Sequence, residues 1–365
     1  MMIKYINAFL SCLLLVAFNL SANAQQKDYK AEMLSLYKSI ETHFYIDSIN
    51  YYREKALPEK GEPKVSYLWP MCSLLQAHNE MEKLFPNRVL SENTLQVIKK
   101  YYNQLPPAPG YASYSMELGG GDRFYDDNQW IGIAAMDEFA RTKKPLWLST
   151  AKEIYRFMMT AYDTAAGGGL YWQEGKKNTK NTCSNGPGII LALQLYKATK
   201  EKPYLDTALL LYNWVNENLR SPASLYYDNI EVGSRTIDKE LYSYNTGTML
   251  QSAVYLYECT KHVKYLQQAT TIANNSIPYF LANNKFRDDY WFCAVLLRGY
   301  QHLLKYNKDL KFISAFKASL DETLNTNKNA NGLMGKATVL SLVPQGGMLE
   351  ILARFAWMQQ EGVVK

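Results

Sequence analysis

The sequence predicts an all-α fold, a single-domain (α/α)6 barrel in which about six helical hairpins close into a toroid. Three observations predict it. Apolar residues recur at helical rather than alternating spacing along nearly the whole chain, pairs of such stretches repeat at roughly 50 to 60 residues, and the segments between pairs are long and rich in glycine, aromatics, asparagine and aspartate.

The first 24 residues read as a signal peptide: Lys4 supplies charge, Ala8 to Leu20 is apolar, and Ala22-Asn23-Ala24 offers small residues before Gln25. That run is too short for a permanent membrane anchor, and no later stretch is long and apolar enough to span a bilayer. Cys12 sits in the middle of the apolar run, where a lipid-attachment cysteine does not belong. An exported protein of the periplasm or the extracellular space is expected, with its catalytic domain over 25–365.

Helical spacing then predicts helices near 30–46, 66–82, 90–104, 127–141, 145–163, 187–200, 202–220, 244–260, 262–282, 289–306, 309–325 and 345–361. They repeat in pairs. Ala134 to Thr142 is followed by Trp147-Leu148 and Ala151; Ala192 to Thr199 by Tyr204-Leu205 and Ala208; Tyr255 to Thr260 by Tyr265-Leu266 and Ala269; and Leu303 to Tyr306 by Phe312-Ile313. Short polar turns such as 200–202 join helices within a hairpin. The longer segments 105–126, 164–186, 221–243, 283–288 and 326–344 would gather at one end of the toroid, which places the site there.

Composition removes several function classes. The net charge of +6 is spread along the chain rather than gathered into a stripe, which argues against nucleic acid. Cys72, Cys183, Cys259 and Cys293 lack paired metal-ligand spacing, and a chain of this size builds a core without disulfides, so free buried thiols are expected. His43, His78, His262 and His302 stand singly, so no metal, calcium included, and no cofactor is implied. The runs Gly119-Gly120-Gly121 and Gly167-Gly168-Gly169 lack the lysine of a phosphate loop, and no G-x-S-x-G elbow occurs. A monomer is expected.

What the loops do carry suits neutral sugars. Twenty-nine tyrosines and seven tryptophans supply flat faces with polar edges, while carboxylates and amides can bond hydroxyls. Asp126-Asp127 follows Gly119 to Phe124 and opens an apolar helix. Two adjacent acids there ordinarily read as a helix cap. Glycoside hydrolysis also needs two carboxyl groups, about 5 to 5.5 Å apart in retaining enzymes, and neighbouring residues about 3.8 Å apart at Cα suit that shorter separation. Close carboxylates resist sharing full charge, which raises one pKa; the sequence alone leaves open which aspartate is the acid.

Around that pair stand further candidates. Trp172, after three glycines, reads as a sugar platform; Asn181 and Asn185 lie in a polar loop that also holds Cys183; Asp228 follows Tyr226-Tyr227; and Tyr244-Asn245 precedes Thr246-Gly247-Thr248. Asp288-Asp289 repeats the acidic pair, either as a helix cap paired with Arg287 or as a substrate contact at the far end of the cleft. Trp130, inside an apolar helix, reads as core.

Phe124-Tyr125-Asp126-Asp127-Asn128-Gln129-Trp130-Ile131-Gly132 closely resembles the signature of glycoside hydrolase family 76, the endo-acting α-1,6-mannanases. The resemblance continues in order through Gly167 to Trp172, Lys177-Asn178 to Ser184-Asn185, and Tyr244 to Thr248, where Thr246 replaces a glutamine; Gln129 stands where relatives often have a small residue. It implies an (α/α)6 barrel, cleavage of an α-mannan backbone with retention, Asp126 as nucleophile and Asp127 as general acid/base. Two other classes remain: another toroidal enzyme, such as an unsaturated-uronide hydrolase or lyase, and a non-catalytic glycan-binding protein.

Overall fold

The structure, a computed structural model, describes residues 27–58, 60–337 and 339–365. The signal peptide expected over 1–24 lies outside the described residues. Twelve α-helices follow in order: α1 (Tyr29–Phe44), α2 (Leu68–Glu82), α3 (Leu90–Ile98), α4 (Tyr125–Thr142), α5 (Pro145–Met159), α6 (Thr182–Thr199), α7 (Lys202–Asn218), α8 (Ser243–Thr260), α9 (Val263–Phe280), α10 (Tyr290–Asn307), α11 (Lys311–Thr326) and α12 (Leu342–Gln360). Each predicted helix is present.

The even-numbered helices form the inner ring, each packed on the next, and α12 closes it against α2. Their sequences explain the position: in α6 every residue from Thr182 to Leu195 is buried, so no face is left for water. The outer helices bury one stripe. Trp147 and Ala151 in α5, Tyr204 and Ala208 in α7, and Tyr265 and Ala269 in α9 all point inward, so the repeated aromatic-alanine pair is the seam between rings. The hairpin turns repeat too. Lys143, Lys200, Lys261 and Lys308 each end an inner helix in the left-handed conformation, with an N–H returned to a carbonyl of the last turn.

Closure joins the two ends of the described chain, because α1 is the outer partner of α12. Gln359 clasps it, its Nε2 donating to Lys27 O at 2.9 Å while its Oε1 accepts from Tyr29 N at 3.3 Å. Tyr29 Oη also donates to Asp321 Oδ1 at 2.7 Å.

The loop end carries strands that the periodicity does not reveal. Two short antiparallel pairs, β1 (Tyr45–Ile46) with β2 (Tyr51–Tyr52) and β3 (Tyr102–Asn103) with β4 (Gly110–Tyr111), flank a four-stranded antiparallel sheet. Its strands are β5 (Tyr171–Gln173), β6 (Lys176–Asn181), β7 (Tyr227–Glu231) and β8 (Ile237–Leu241). β6 reads Lys-Lys-Asn-Thr-Lys-Asn, with no apolar alternation to mark it. The sheet leads the chain into α6 and α8 and walls one side of the cleft.

Candidate active site

All six inner helices begin at the loop end, and their second residues meet around the axis: Trp69, Asp126, Cys183, Tyr244, Trp291 and Val343. Asp126 and its neighbour Asp127 line a small aromatic pocket together with Trp69, Trp130, Tyr244, Trp291 and Phe292. Both carboxyls also open onto a groove of about 450 Å³ walled by Tyr67, Trp69, Phe124, Trp172 and Val343, with Glu54 at its edge. Beyond Trp172 a second, polar cavity of about 430 Å³ is lined by Gln173, Lys176, Asn178, Asn181, Asp228 and Asn229.

Neither aspartate caps its helix, contrary to the ordinary reading of an acidic pair. The helix starts at Tyr125 behind Phe124, and no side chain caps it. Its loop is secured instead by Asn128, whose Oδ1 accepts from Tyr111 N at 2.7 Å and whose Nδ2 donates to Tyr111 O at 2.9 Å and Phe124 O at 2.8 Å. The carboxyls are left free to face the cleft, 8% and 7% exposed.

Their surroundings differ. Trp172 Nε1 donates to Asp126 Oδ2 at 3.0 Å. Burial lifts the Asp126 pKa to about 6, while the Cys183 thiol, this indole and the backbone N–H groups of Asp127 and Asp126 hold it down. The carboxyl of Asp127 makes no hydrogen bond to a described residue. Burial, and then the negative charge of Asp126, push its pKa well up.

Arg123, just before this segment, anchors it. Arg123 Nε and Nη2 donate to Glu174, and Nη1 to Ala108 O at 2.9 Å and Leu105 O at 3.1 Å. Phe124 bridges Gln173, which brings β5 and its Trp172 alongside Asp126.

The other predicted residues divide. Asn181 and Asp228 line the polar cavity, and Asn245 braces Asp228 through Nδ2 to Oδ1 at 3.2 Å. Tyr244 lines the aromatic pocket, its ring centroid 4.1 Å from that of Phe292. Two expectations are corrected, the sugar role of Asn185 and the ion pair of Arg287 with the second acidic pair, while the cap reading of Asp288-Asp289 takes precedence over the substrate contact. Asn185 is fully buried, with Oδ1 on Leu170 N at 2.8 Å and Nδ2 on Leu170 O and Asn181 O, so its amide clamps the glycine loop rather than a sugar. Asp288 Oδ2 accepts from Ser243 N at 2.5 Å and Asp289 Oδ1 from Trp291 N at 2.9 Å, so both are committed to helix starts. Arg287 pairs with Glu240 rather than with them.

Trp130 is buried, as expected, yet it also walls the pocket beside Trp291, their rings 5.4 Å apart. Trp69, Trp291, Phe292, Tyr67 and Glu54 were not singled out in the sequence. The signal that finds three of them is register: Trp69 and Trp291 hold in α2 and α10 the position that Asp126 holds in α4, and Phe292 that of Asp127. Cys72, Cys183, Cys259 and Cys293 are free thiols, all but the half-buried Cys259 being buried as expected. No group of three or more metal-ligating side chains occurs among the described residues.

Comparison with known proteins gives this geometry its kinship. The mannan endo-1,6-alpha-mannosidase DCW1 of Candida glabrata is 30% identical over 177 residues, which are 42% of this chain and 40% of that protein. The Saccharomyces cerevisiae protein of the same name is 33% identical over 151 residues, 37% of this chain and 34% of its own. These matches span less than half the length of either relative. A solved glycoside hydrolase family 76 mannosidase of Bacteroides thetaiotaomicron superposes with a TM-score of 0.84 at 25% identity, covering 92% of this chain and 100% of that one. The α-1,6-mannanase of Salegentibacter shares the fold, with a TM-score of 0.78 at 19% identity over 91% of this chain. The sequence model described as glycosyl hydrolase family 76 matches residues 21–325, through every element that builds the cleft except α12 and the loop before it. This chain therefore belongs to glycosyl hydrolase family 76.

Proposed function

We propose that the protein is a retaining endo-α-1,6-mannanase that hydrolyses the backbone of an α-mannan or its oligosaccharides. The observation that carries this reading is the pair Asp126 and Asp127, buried side by side at the junction of an aromatic pocket and an open groove. A groove of this size beside the two carboxyls has room for sugar units, and aromatic walls suit pyranose faces.

The electrostatics support the division of roles that the resemblance implies. Asp126, held by an indole N–H, a thiol and the N–H groups of a helix start, is the carboxyl better suited to stay ionised and attack the anomeric carbon. Asp127, unbonded and facing that charge, is suited to hold a proton and deliver it to the leaving oxygen. Water then resolves the glycosyl-enzyme, giving its proton to Asp127.

An enzyme for acidic sugars would line its cleft with cations. Of the residues lining the three cavities only Lys176 is basic, against Glu54, Asp126, Asp127 and Asp228. The test is product analysis on linear α-1,6-manno-oligosaccharides and debranched mannan, with anomeric configuration followed by proton NMR. Retained α-products from the wild type and a loss of at least about 10³-fold in folded Asp126→Asn and Asp127→Asn variants are expected. Wild-type rates in those variants would overturn the reading, and binding without new reducing ends would make the protein a glycan-binding module.

The same reading takes 1–24 as a cleaved signal and 25–365 as an exported catalytic domain that acts as a monomer. Among the described residues no helix is long and apolar enough to cross a membrane. Secreted material with an N-terminus at Gln25 and a one-chain mass by light scattering would support it.

A further inference from the structure

We infer that Trp172 is a positioning residue of this reaction: its indole N–H holds Asp126 Oδ2 and so leaves Oδ1 as the oxygen that bonds the anomeric carbon. The inference rests on the mannanase reading for its substrate, but on the geometry alone for its atoms. Trp172 Nε1 lies 3.0 Å from Asp126 Oδ2, whereas no donor among the described residues reaches hydrogen-bond geometry at the buried Oδ1, the Cys183 thiol and the N–H groups of Asp126 and Asp127 facing the carboxylate without meeting that geometry. A buried carboxylate oxygen without a partner is costly, and a reacting centre is where such a cost is ordinarily retained.

The indole is held for this task from two sides. Its ring centroid lies 4.9 Å from that of Phe124. The chain on either side is tied across, Phe124 bridging Gln173 and Glu174 N donating to Arg123 O at 2.9 Å. Phe124, two residues before Asp126, and Gln173, the residue after Trp172, are thus paired in one short ladder. The ring is 39% exposed and lines both the groove and the polar cavity, so it can meet a sugar while its N–H stays on the carboxylate. This goes beyond the platform role expected from the sequence.

In the first half-reaction the Asp126 Oδ1 to C1 bond forms as the bond from C1 to the glycosidic oxygen breaks, and that oxygen takes its electron pair and the Asp127 proton. In the second, water attacks C1 and gives a proton to Asp127, while the C1–Oδ1 pair returns to Asp126. Charge reappears on the carboxylate as it leaves. A donor fixed on Oδ2 stabilises that charge, so its loss slows the second half more than the first.

The test is Trp172→Phe, which keeps an aromatic face beside Phe124 and removes the N–H. The groups facing Asp126 are Asp127 on its own helix, Cys72 on α2, Cys183 on α6 and Tyr244 on α8, and Phe leaves all of them in place. Expected are a kcat lowered about tenfold, a KM that does not rise, and an acidic limb of kcat/KM moved upward by up to about one pH unit. Trp172→Leu, lacking the face as well, should add a rise in KM. A Phe variant with unchanged kcat and an unmoved limb, or with a raised KM alone, would leave only a platform and overturn the inference. An arm independent of turnover separates it from the substrate reading: the Asp126 carboxyl, assigned by Asp126→Asn, is titrated by carbon-13 NMR in wild type and Trp172→Phe. An upward shift supports the hydrogen bond even if α-1,6-mannan is not cleaved, in which case the substrate reading alone falls; an identical midpoint overturns the inference whatever the substrate.

Discussion

Arg123 and Glu174 are joined by two hydrogen bonds of 2.6 Å, Nε to Oε2 and Nη2 to Oε1, across the gap between the entry to α4 and the end of β5. Arg123 is 4% exposed. Removing one partner of such a pair strands the other and frees the segment that carries Asp126. Glu174→Gln should cost about 1–3 kcal/mol in urea unfolding, and Arg123→Met about 3–5 kcal/mol. Both should lower kcat/KM. A loss under about 0.5 kcal/mol for Arg123→Met would show that the pair holds nothing.

Asn185 and Asn128 occupy the fourth position of α6 and α4, and Gln345 the fourth of α12, where its amide grips Met334 N and O at 2.8 Å. Each clamps the loop that precedes its helix. In α8 that position is Thr246, the departure from the family pattern, and its buried hydroxyl has no partner among the described residues. Asn185→Ala should therefore cost roughly 2–4 kcal/mol, because Leu170 N–H and its carbonyl lose their partner inside the protein. Unfolding free energies equal to the wild type would refute the clamp.

Gly347 lets α12 approach the start of α10. A Cβ there would lie 2.2 Å from Trp291 N and 2.5 Å from its Cα, backbone atoms that cannot swing aside. Gly347→Ala should destabilise the protein by about 3 kcal/mol or more and displace Trp291 from the pocket, lowering activity as well. Wild-type melting and turnover would contradict this packing.

Asp126 and Asp127 both have folded-state pKa values above the ordinary 3.8. The folded chain then holds more protons than the unfolded one from about pH 4 upward, to about 6 for Asp126 and further for Asp127, so this contribution to stability falls as pH rises through that range. Asp127→Asn should be neutral near pH 4 and stabilising by about 1–3 kcal/mol at pH 7, with activity abolished. The check is chemical denaturation at both pH values. An equal effect at the two would count against the assigned strain.

The four cysteines of 25–365 are free, and Cys72, Cys183 and Cys293 are buried. Four thiols should react with a thiol reagent in denaturant, and a reducing agent should leave the melting temperature unchanged. Two thiols in denaturant would reveal a disulfide.

Much of this was legible in the chain. Twelve helices announce themselves because one buried stripe every 3.6 residues is a local signal, and the aromatic-alanine pairs mark the seam because every outer helix meets the same inner surface. The sheet β5 to β8 is silent because its strands are short and polar. Asn185 and Asp288 look like sugar ligands by residue type, but they bond backbone groups of Leu170 and Ser243 that only the fold brings near, whereas Asp289 caps its own helix as a local reading allows. Conversely Trp69 and Trp291 look like core tryptophans, and become pocket walls because two distant helices start at one end of the ring.

By itself the sequence determined the all-α class, the hairpin repeat and the end of the toroid that carries the loops, and it singled out Asp126-Asp127 as the candidate pair. Tertiary structure alone decided that α12 closes on α2 with α1 outside it, that six helix starts converge on those carboxyls, and that Trp172 rather than a cap residue bonds Asp126. The reason is reach. Periodicity and capping chemistry act over a few neighbouring residues, whereas the surroundings of Asp126 at the axis include side chains as far along the chain as Val343, which meet it only once the ring has closed.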